Sequence, residues 1–101
     1  LEIAIGSEAI PEARGKIFRE YAKILQREGR FDEALRVTNQ GLETLPRTER
    51  DNRDWLSAVR QAARFGKGEI AVTELADYRA SVANDEIKKY LNDSMSEEVA
   101  E

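Results

Sequence analysis

The stretch Glu28-Gly-Arg-Phe-Asp-Glu-Ala-Leu35 separates two runs of helical periodicity and decides the fold. In the run before it, apolar residues recur at spacings of three and four: Ile17, Phe18, Tyr21, Ile24 and Leu25. This spacing places them on one face of a helix. Gly29 suits the end of that helix, and Asp32 and Glu33 suit the first turn of a second helix, predicted from Phe31 to Leu45. Because the connection is short, we predict two antiparallel neighbours.

A repeated segment extends this pattern along the chain. Gly6-Ser-Glu-Ala-Ile-Pro11 recurs as Gly41-Leu-Glu-Thr-Leu-Pro46, thirty-five residues later. Each copy has the form of a helix end with an apolar anchor, followed by a proline that cannot continue the helix. A period of about 35 residues is typical of helix-turn-helix repeats.

The stretch Ile17 to Pro46 resembles a tetratricopeptide repeat (TPR). The family's alternation of large, small and turn residues is matched by Phe18, Ala22, Gly29, Phe31, Ala34, Gly41 and Pro46. A second unit matches at an offset of thirty-seven, through Trp55, Gly66 and Ala71. It departs from the family pattern at Gly68, where the first unit has Phe31, at Tyr78, where the first unit has the small residue Gly41, and at Ala83, where the closing proline is expected. The resemblance implies a degenerate terminal repeat.

Three further helices follow from the periodicity and from end signals. Thr48 and Asp51 resemble a capping box at the start of a third helix, which Gly66 is expected to stop. A fourth helix is predicted from about Glu69 to Ser81, and Asn84 is the expected N-cap of a short final helix. The apolar face of the third helix comprises Trp55, Leu56, Val59, Ala62 and Ala63.

The resemblance implies an all-α fold of antiparallel helix-turn-helix repeats in a right-handed superhelical solenoid, with about five helices. Residues 1–93 form the expected repeat domain. Within it, 1–11 end a preceding repeat, 12–48 and 49–83 are the repeat and the degenerate repeat, and 84–93 are a capping helix. Residues 94–101 are acidic and polar, so we expect a disordered tail. Trp55 is expected in the core and Tyr78 against the final helix, while the role of Tyr90 is open.

Composition narrows the possible chemistry. The chain has 101 residues with no cysteine and no histidine, which removes thiolate metal sites and the commonest general base. We expect no enzyme, no cofactor and no metal site, since the acidic pairs Asp32–Glu33 and Asp51–Asp54 suit helix first turns. The net charge of −4 argues against a nucleic acid or membrane partner. No basic-then-apolar leader is evident, so an intracellular, cytoplasmic location is expected.

The TPR resemblance also implies a binding surface, because the first helix of each pair in that family lines a concave groove for a partner peptide. Mapping that face onto this chain gives Lys16, Arg19, Lys23, Gln26 and Arg27, then Arg53, Ser57, Arg60 and Arg64. Both stripes are basic, which favours an acidic segment or a terminal carboxylate. The alternative is a solvated face paired with Glu20 and Glu28.

The sequence is compatible with three functions. The leading hypothesis is a protein-interaction module that binds an acidic or extended peptide on a basic groove. The second is structural self-association within a larger assembly. The third, nucleic-acid binding along the arginine-bearing helices, is disfavoured by the net charge and by the lack of exposed aromatic residues for base stacking.

Overall fold

The computed structural model describes the backbone of residues 11–100 and the side chains of residues 14–95. Five helices and no strands occupy this part of the chain, as predicted for an all-α fold. They are α1 (Pro11–Arg27), α2 (Phe31–Thr44), α3 (Arg50–Gly66), α4 (Val72–Ala80) and α5 (Asp85–Ala100). The predicted end of a preceding repeat at 1–11 lies almost wholly outside the described residues. None of the helices in the described part is long and apolar enough to cross a lipid bilayer.

Two glycines end α1 and α3 in the same way. Gly29 and Gly68 have φ angles of 80° and 79°, in the left-handed region that side chains disfavour. In both turns the residue after the glycine donates its N–H to the carbonyl five positions back, at 2.9 Å. This is the Schellman arrangement, which satisfies carbonyls left over at the helix end. The prediction for Gly29 is confirmed. Helix α3 ends at Gly66, as predicted, but the left-handed glycine of the turn that follows is Gly68.

Gly66 and Gly41 are instead sites of close helix contact. A Cβ at Gly66 would lie 2.5 Å from Cε1 of Phe31, so the Phe31 ring packs directly on the backbone of α3. A Cβ at Gly41 would lie 2.6 Å from Cδ1 of Leu56 and 3.2 Å from Cγ of Phe18. Gly41 therefore lets α2 approach both α1 and α3, as expected of a small residue at a helix crossing.

The contacts also give the directions of the helices. The end of α3 meets the start of α2 at Gly66 and Phe31, and the start of α3 meets the end of α2 through Arg53, so these helices are antiparallel. Arg19 and Lys23 of α1 reach Asn52 and Trp55 of α3 in the same order, so α1 and α3 run parallel.

Helix α3 lies at the centre of the packing. It contacts all four other described helices, and α1 also packs on α2 while α4 packs on α5. Trp55 is only 7% exposed, which confirms its place in the core. The fully buried large side chains are Phe18, Leu25, Leu56, Leu75, Ile87, Leu91, Val59 and Thr38. Burying side chains of this size is the main source of stability in such a fold.

The ends of the helices follow the sequence signals only in part. Oδ1 of Asn84 accepts hydrogen bonds from the N–H groups of Glu86 (2.8 Å) and Ile87 (3.2 Å), which confirms the predicted N-cap. The capping box predicted at Thr48 is not formed, because α3 begins one residue later than that box requires, after Glu49, with no side-chain cap. Helix α4 begins at Val72 rather than near 69.

Helix α5 continues through Ala100, past residue 93, where the sequence places the end of the capping helix. Ser94 and Met95 are 7% and 9% exposed and belong to the buried face of α5. They follow Tyr90 and Leu91 at a spacing of four, so the apolar pattern runs one further turn into the segment expected to be a disordered tail.

Candidate interaction surface

The nine residues predicted from the TPR resemblance do not form one continuous surface. The contacts of the α1 residues are with α3 and α5, whereas the main contacts of Arg53 and Arg60 are with α2. The basic residues of α1 therefore lie on one side of α3, and the arginines of α3 project from another side, next to α2.

The C-terminal half of the α1 stripe contacts aromatic side chains, although Arg27 remains exposed. The Lys23 ammonium lies 4.3 Å from the centre of the Trp55 ring, and its side chain is only 18% exposed. Gln26 is buried, and its Oε1 accepts a hydrogen bond from the Tyr90 hydroxyl. The Arg27 guanidinium carbon lies 5.6 Å from the centre of the Tyr90 ring. Each cation is thus engaged with a ring face, a contact that stabilises by about 0.5–2 kcal/mol.

Tyr90 joins α5 to this side of the molecule. Its ring meets the Trp55 ring edge to face, with ring centres 5.6 Å apart and planes at 70°. Tyr90 is itself buried, which settles the role left open by the sequence. Tyr90 of α5 consequently occupies part of the α1 face where the family pattern puts a peptide groove.

In the N-terminal half of the α1 stripe, one cation is held by neighbouring side chains and the other is exposed to solvent. Arg19 donates from Nη1 to Oδ1 of Asn52 and from Nε to Oε2 of Glu20, both at 3.1 Å, so it links α1 to the first turn of α3. Lys16 is exposed. The Glu20 contact agrees with the alternative in which these charges pair internally.

Arg53 has a structural contact that periodicity does not reveal. Its Nη1 donates to the carbonyl oxygens of Leu42 (2.7 Å) and Leu45 (2.9 Å). A positive charge at the C-terminal end of α2 also suits the helix dipole. Arg53 therefore caps α2 from the neighbouring helix.

Arg60 and Arg64 hold weaker contacts. Nη1 of Arg60 lies 3.4 Å from Oδ1 of Asn39, at the long limit for a hydrogen bond. Arg64 reaches Gln61 at 3.2 Å and Glu69 at 3.6 Å. Exposed pairs of this kind stabilise by about 0–1 kcal/mol, so these guanidinium groups can exchange them for an incoming carboxylate.

One further arginine belongs with them. Arg50 is exposed, lies three positions before Arg53, and makes no hydrogen bond or ion pair with any described residue. Spacings of three and four put Arg50, Arg53, Ser57, Arg60 and Arg64 on one side of α3. We call the four arginines the arginine stripe. The family mapping missed Arg50 because it began at Arg53, although the same spacing reaches one turn further back.

A cleft of about 520 Å³ lies beside the stripe, between the first turns of α3 and the connection from α4 to α5. It is lined by Asp51, Asp54, Tyr78, Ser81, Val82, Ala83, Asn84 and Ile87. Burial raises the pKa of the half-buried Tyr78, and the Asp54 carboxylate raises it further, while Arg60 acts in the opposite direction. Tyr78 thus shares this cleft with the start of the final helix.

The remaining acidic residues singled out by sequence are engaged in ion pairs. Asp32 contacts Nζ of Lys67 at 2.5 Å, and Glu33 accepts hydrogen bonds from the Arg30 guanidinium, which lowers the pKa of Glu33. No group of three or more metal-ligating side chains occurs in the part of the chain that the structure describes.

Comparison with known proteins gives no match to this chain among family models, curated proteins or solved structures. The assignment of a function therefore rests on the residues and contacts given above.

Proposed function

We propose that this chain is a TPR-like helical-repeat module that binds an acidic segment of a partner protein on the arginine stripe of α3. The observation that carries the proposal is the spacing of Arg50, Arg60 and Arg64 along one side of the central helix, with little internal pairing. Arginine is suited to this role because its planar fork matches the geometry of a carboxylate.

The packing order supports the repeat interpretation. Helices α1 and α2 form an antiparallel pair, and α3 packs against both members of that pair. Gly41 stands at the crossing of α2 with its neighbours, where the repeat pattern requires a small residue. We infer a right-handed superhelical arrangement from this likeness, with α3 and α4 as the degenerate second unit.

The stripe sets the size of the partner segment. From Arg50 to Arg64 the helix rises about 21 Å at 1.5 Å per residue. An extended chain advances about 3.3 Å per residue, so about six residues cover the stripe. A short acidic segment thus spans the whole row of guanidinium groups.

Charge reversal tests the proposal directly. Fluorescence anisotropy of a labelled hexaglutamate peptide is expected to report saturable 1:1 binding that weakens as salt is raised. Arg60→Glu/Arg64→Glu should weaken this binding by about tenfold or more, since two attractive positive charges become charges that repel the peptide. Lys88→Glu/Lys89→Glu, on α5, is the matched control and should change it less than about twofold.

Three results would contradict the proposal. Equal losses in the α3 and α5 variants would mean that only net charge matters. Tighter binding of a single-stranded oligonucleotide than of hexaglutamate would instead favour the nucleic-acid alternative. Lys16→Glu/Arg27→Glu completes the set, because a loss there would return the site to the α1 stripe.

A second candidate, self-association, is favoured by the apolar edge of α1. Ile24 is 50% exposed, and Ile17 and Tyr21 lie on the same side at a spacing of three and four. Sedimentation velocity across a range of protein concentrations should reveal a dimer, and Ile24→Asp should dissociate it into monomers. A monomer at every concentration would dismiss this function.

A further inference from the structure

The cleft between α3, α4 and α5 has two chemically different walls. Val82, Ala83 and Ile87 form an apolar wall, and Asp51 and Asp54 project from the first turns of α3. Its volume of about 520 Å³ falls in the range typical of small-molecule sites. A ligand there would need both an apolar stem and a charged or polar head.

The charges of the cleft are all of one sign. Its lining contains two carboxylates and no lysine or arginine. Neither Asp51 nor Asp54 forms a hydrogen bond or an ion pair with another described residue, in contrast to Asp32 and Glu33. Two carboxylates without counterions in a cleft that has one apolar wall favour a cation over an anion.

Tyr78 adds an aromatic surface to the same cleft. It is half-buried, so part of its ring remains open to a ligand. The faces of such rings attract cations, most often guanidinium groups. A tyrosine phenol keeps its proton at neutral pH and can donate a hydrogen bond to a ligand.

We propose that this cleft binds the guanidinium group of an arginine side chain presented by a partner protein. The two aspartates lie three residues apart on α3, so both carboxylates can face one planar cation. A guanidinium group also stacks on tyrosine and carries a three-carbon stem that suits the apolar wall, whereas an ammonium ion is compact and more strongly hydrated. This site does not depend on the arginine stripe, although Arg60 is close enough to influence Tyr78.

The test is a titration of the ¹⁵N-labelled protein, followed by NMR, with Nα-acetyl-arginine amide. We expect saturable shifts of the amides of residues 51–54 and 78–87. Nα-acetyl-citrulline amide has nearly the same shape without the charge, and should bind about fivefold or more weakly. Asp51→Asn/Asp54→Asn should cause a similar loss, while Asp93→Asn, at an exposed position of α5, should cause none.

Several outcomes would overturn the proposal. Equal binding of the citrulline compound would mean an apolar cleft without charge recognition. Shifts spread over the whole protein, or absent from residues 78–87, would mean no site at the cleft. Equal binding of Nα-acetyl-lysine amide would remove the preference for guanidinium. Arg64→Glu, at a position that does not line the cleft, should preserve arginine binding even if hexaglutamate binding proves absent, so the two proposals fail separately.

Discussion

Gly66 offers the sharpest test of the packing described for α3. It is the last residue of a helix, where replacing glycine by alanine usually stabilises by up to about 1 kcal/mol. Here the added Cβ would lie 2.5 Å from the Phe31 ring, which must move. Overpacking of this kind costs about 1–3 kcal/mol. We therefore expect Gly66→Ala to lower the free energy of unfolding by about 1 kcal/mol in net terms.

Shortening the opposing side chain should reverse the sign of that effect. In a Phe31→Ala background the added methyl group meets no ring, so Gly66→Ala should raise the free energy of unfolding by up to about 1 kcal/mol. Urea denaturation followed by circular dichroism measures all four members of this double-mutant cycle. A control is Gly68→Ala, whose cost of about 1–2 kcal/mol comes from its left-handed φ.

The result that would refute this reasoning is a Gly66→Ala penalty of equal size in both backgrounds. Such a result would mean that the cost arises from the backbone at Gly66 and not from the Phe31 ring. A Gly68→Ala penalty that disappeared with Phe31→Ala would also contradict the account, because no side chain lies within 4 Å of a Cβ at Gly68.

Three further predictions concern single groups. Asn84→Ala removes the cap of α5 and should lower the free energy of unfolding by about 1 kcal/mol, measured by urea denaturation, with Asn84→Asp retaining most of it. Tyr90→Phe leaves the buried Oε1 of Gln26 without this hydrogen bond and should cost about 1–3 kcal/mol, and a loss under about 0.5 kcal/mol would contradict the contact. The pKa of Tyr78 is higher in the folded than in the unfolded chain, so the folded state binds more protons above about pH 10 and stability should fall there as pH rises. Ultraviolet titration should find that Asp54→Asn lowers this pKa, and a rise would contradict the assigned cause.

Local sequence signals predicted the helices well where a single residue type carries the geometry. Gly29 ends α1 because glycine tolerates a positive φ, and Asn84 caps α5 because its short side chain reaches two backbone N–H groups. Phe18 and Trp55 are buried as their spacing requires. Each of these features depends on chemistry within a few positions along the chain.

The predictions that the structure corrects concern features that depend on contacts between residues far apart in the sequence. Two glycines lie near the end of α3, and only the position of Phe31 makes Gly66 a packing residue and leaves the turn to Gly68. The hydrogen bond from Tyr90 to Gln26 joins residues 64 positions apart in the sequence. No local pattern therefore indicates that Tyr90 of α5 reaches this part of α1. The predicted site residues are therefore divided between two sides of α3, which the spacing of charges within each helix does not reveal.

The central claim is that α3, and not α1, presents the basic surface for an acidic partner. Its most direct test is an NMR titration of the ¹⁵N-labelled protein with hexaglutamate, since backbone amides report the location of binding residue by residue. The account predicts saturable shifts concentrated in residues 50–64 that shrink as salt is added. Shifts concentrated in residues 16–27, or none that saturate, would contradict it.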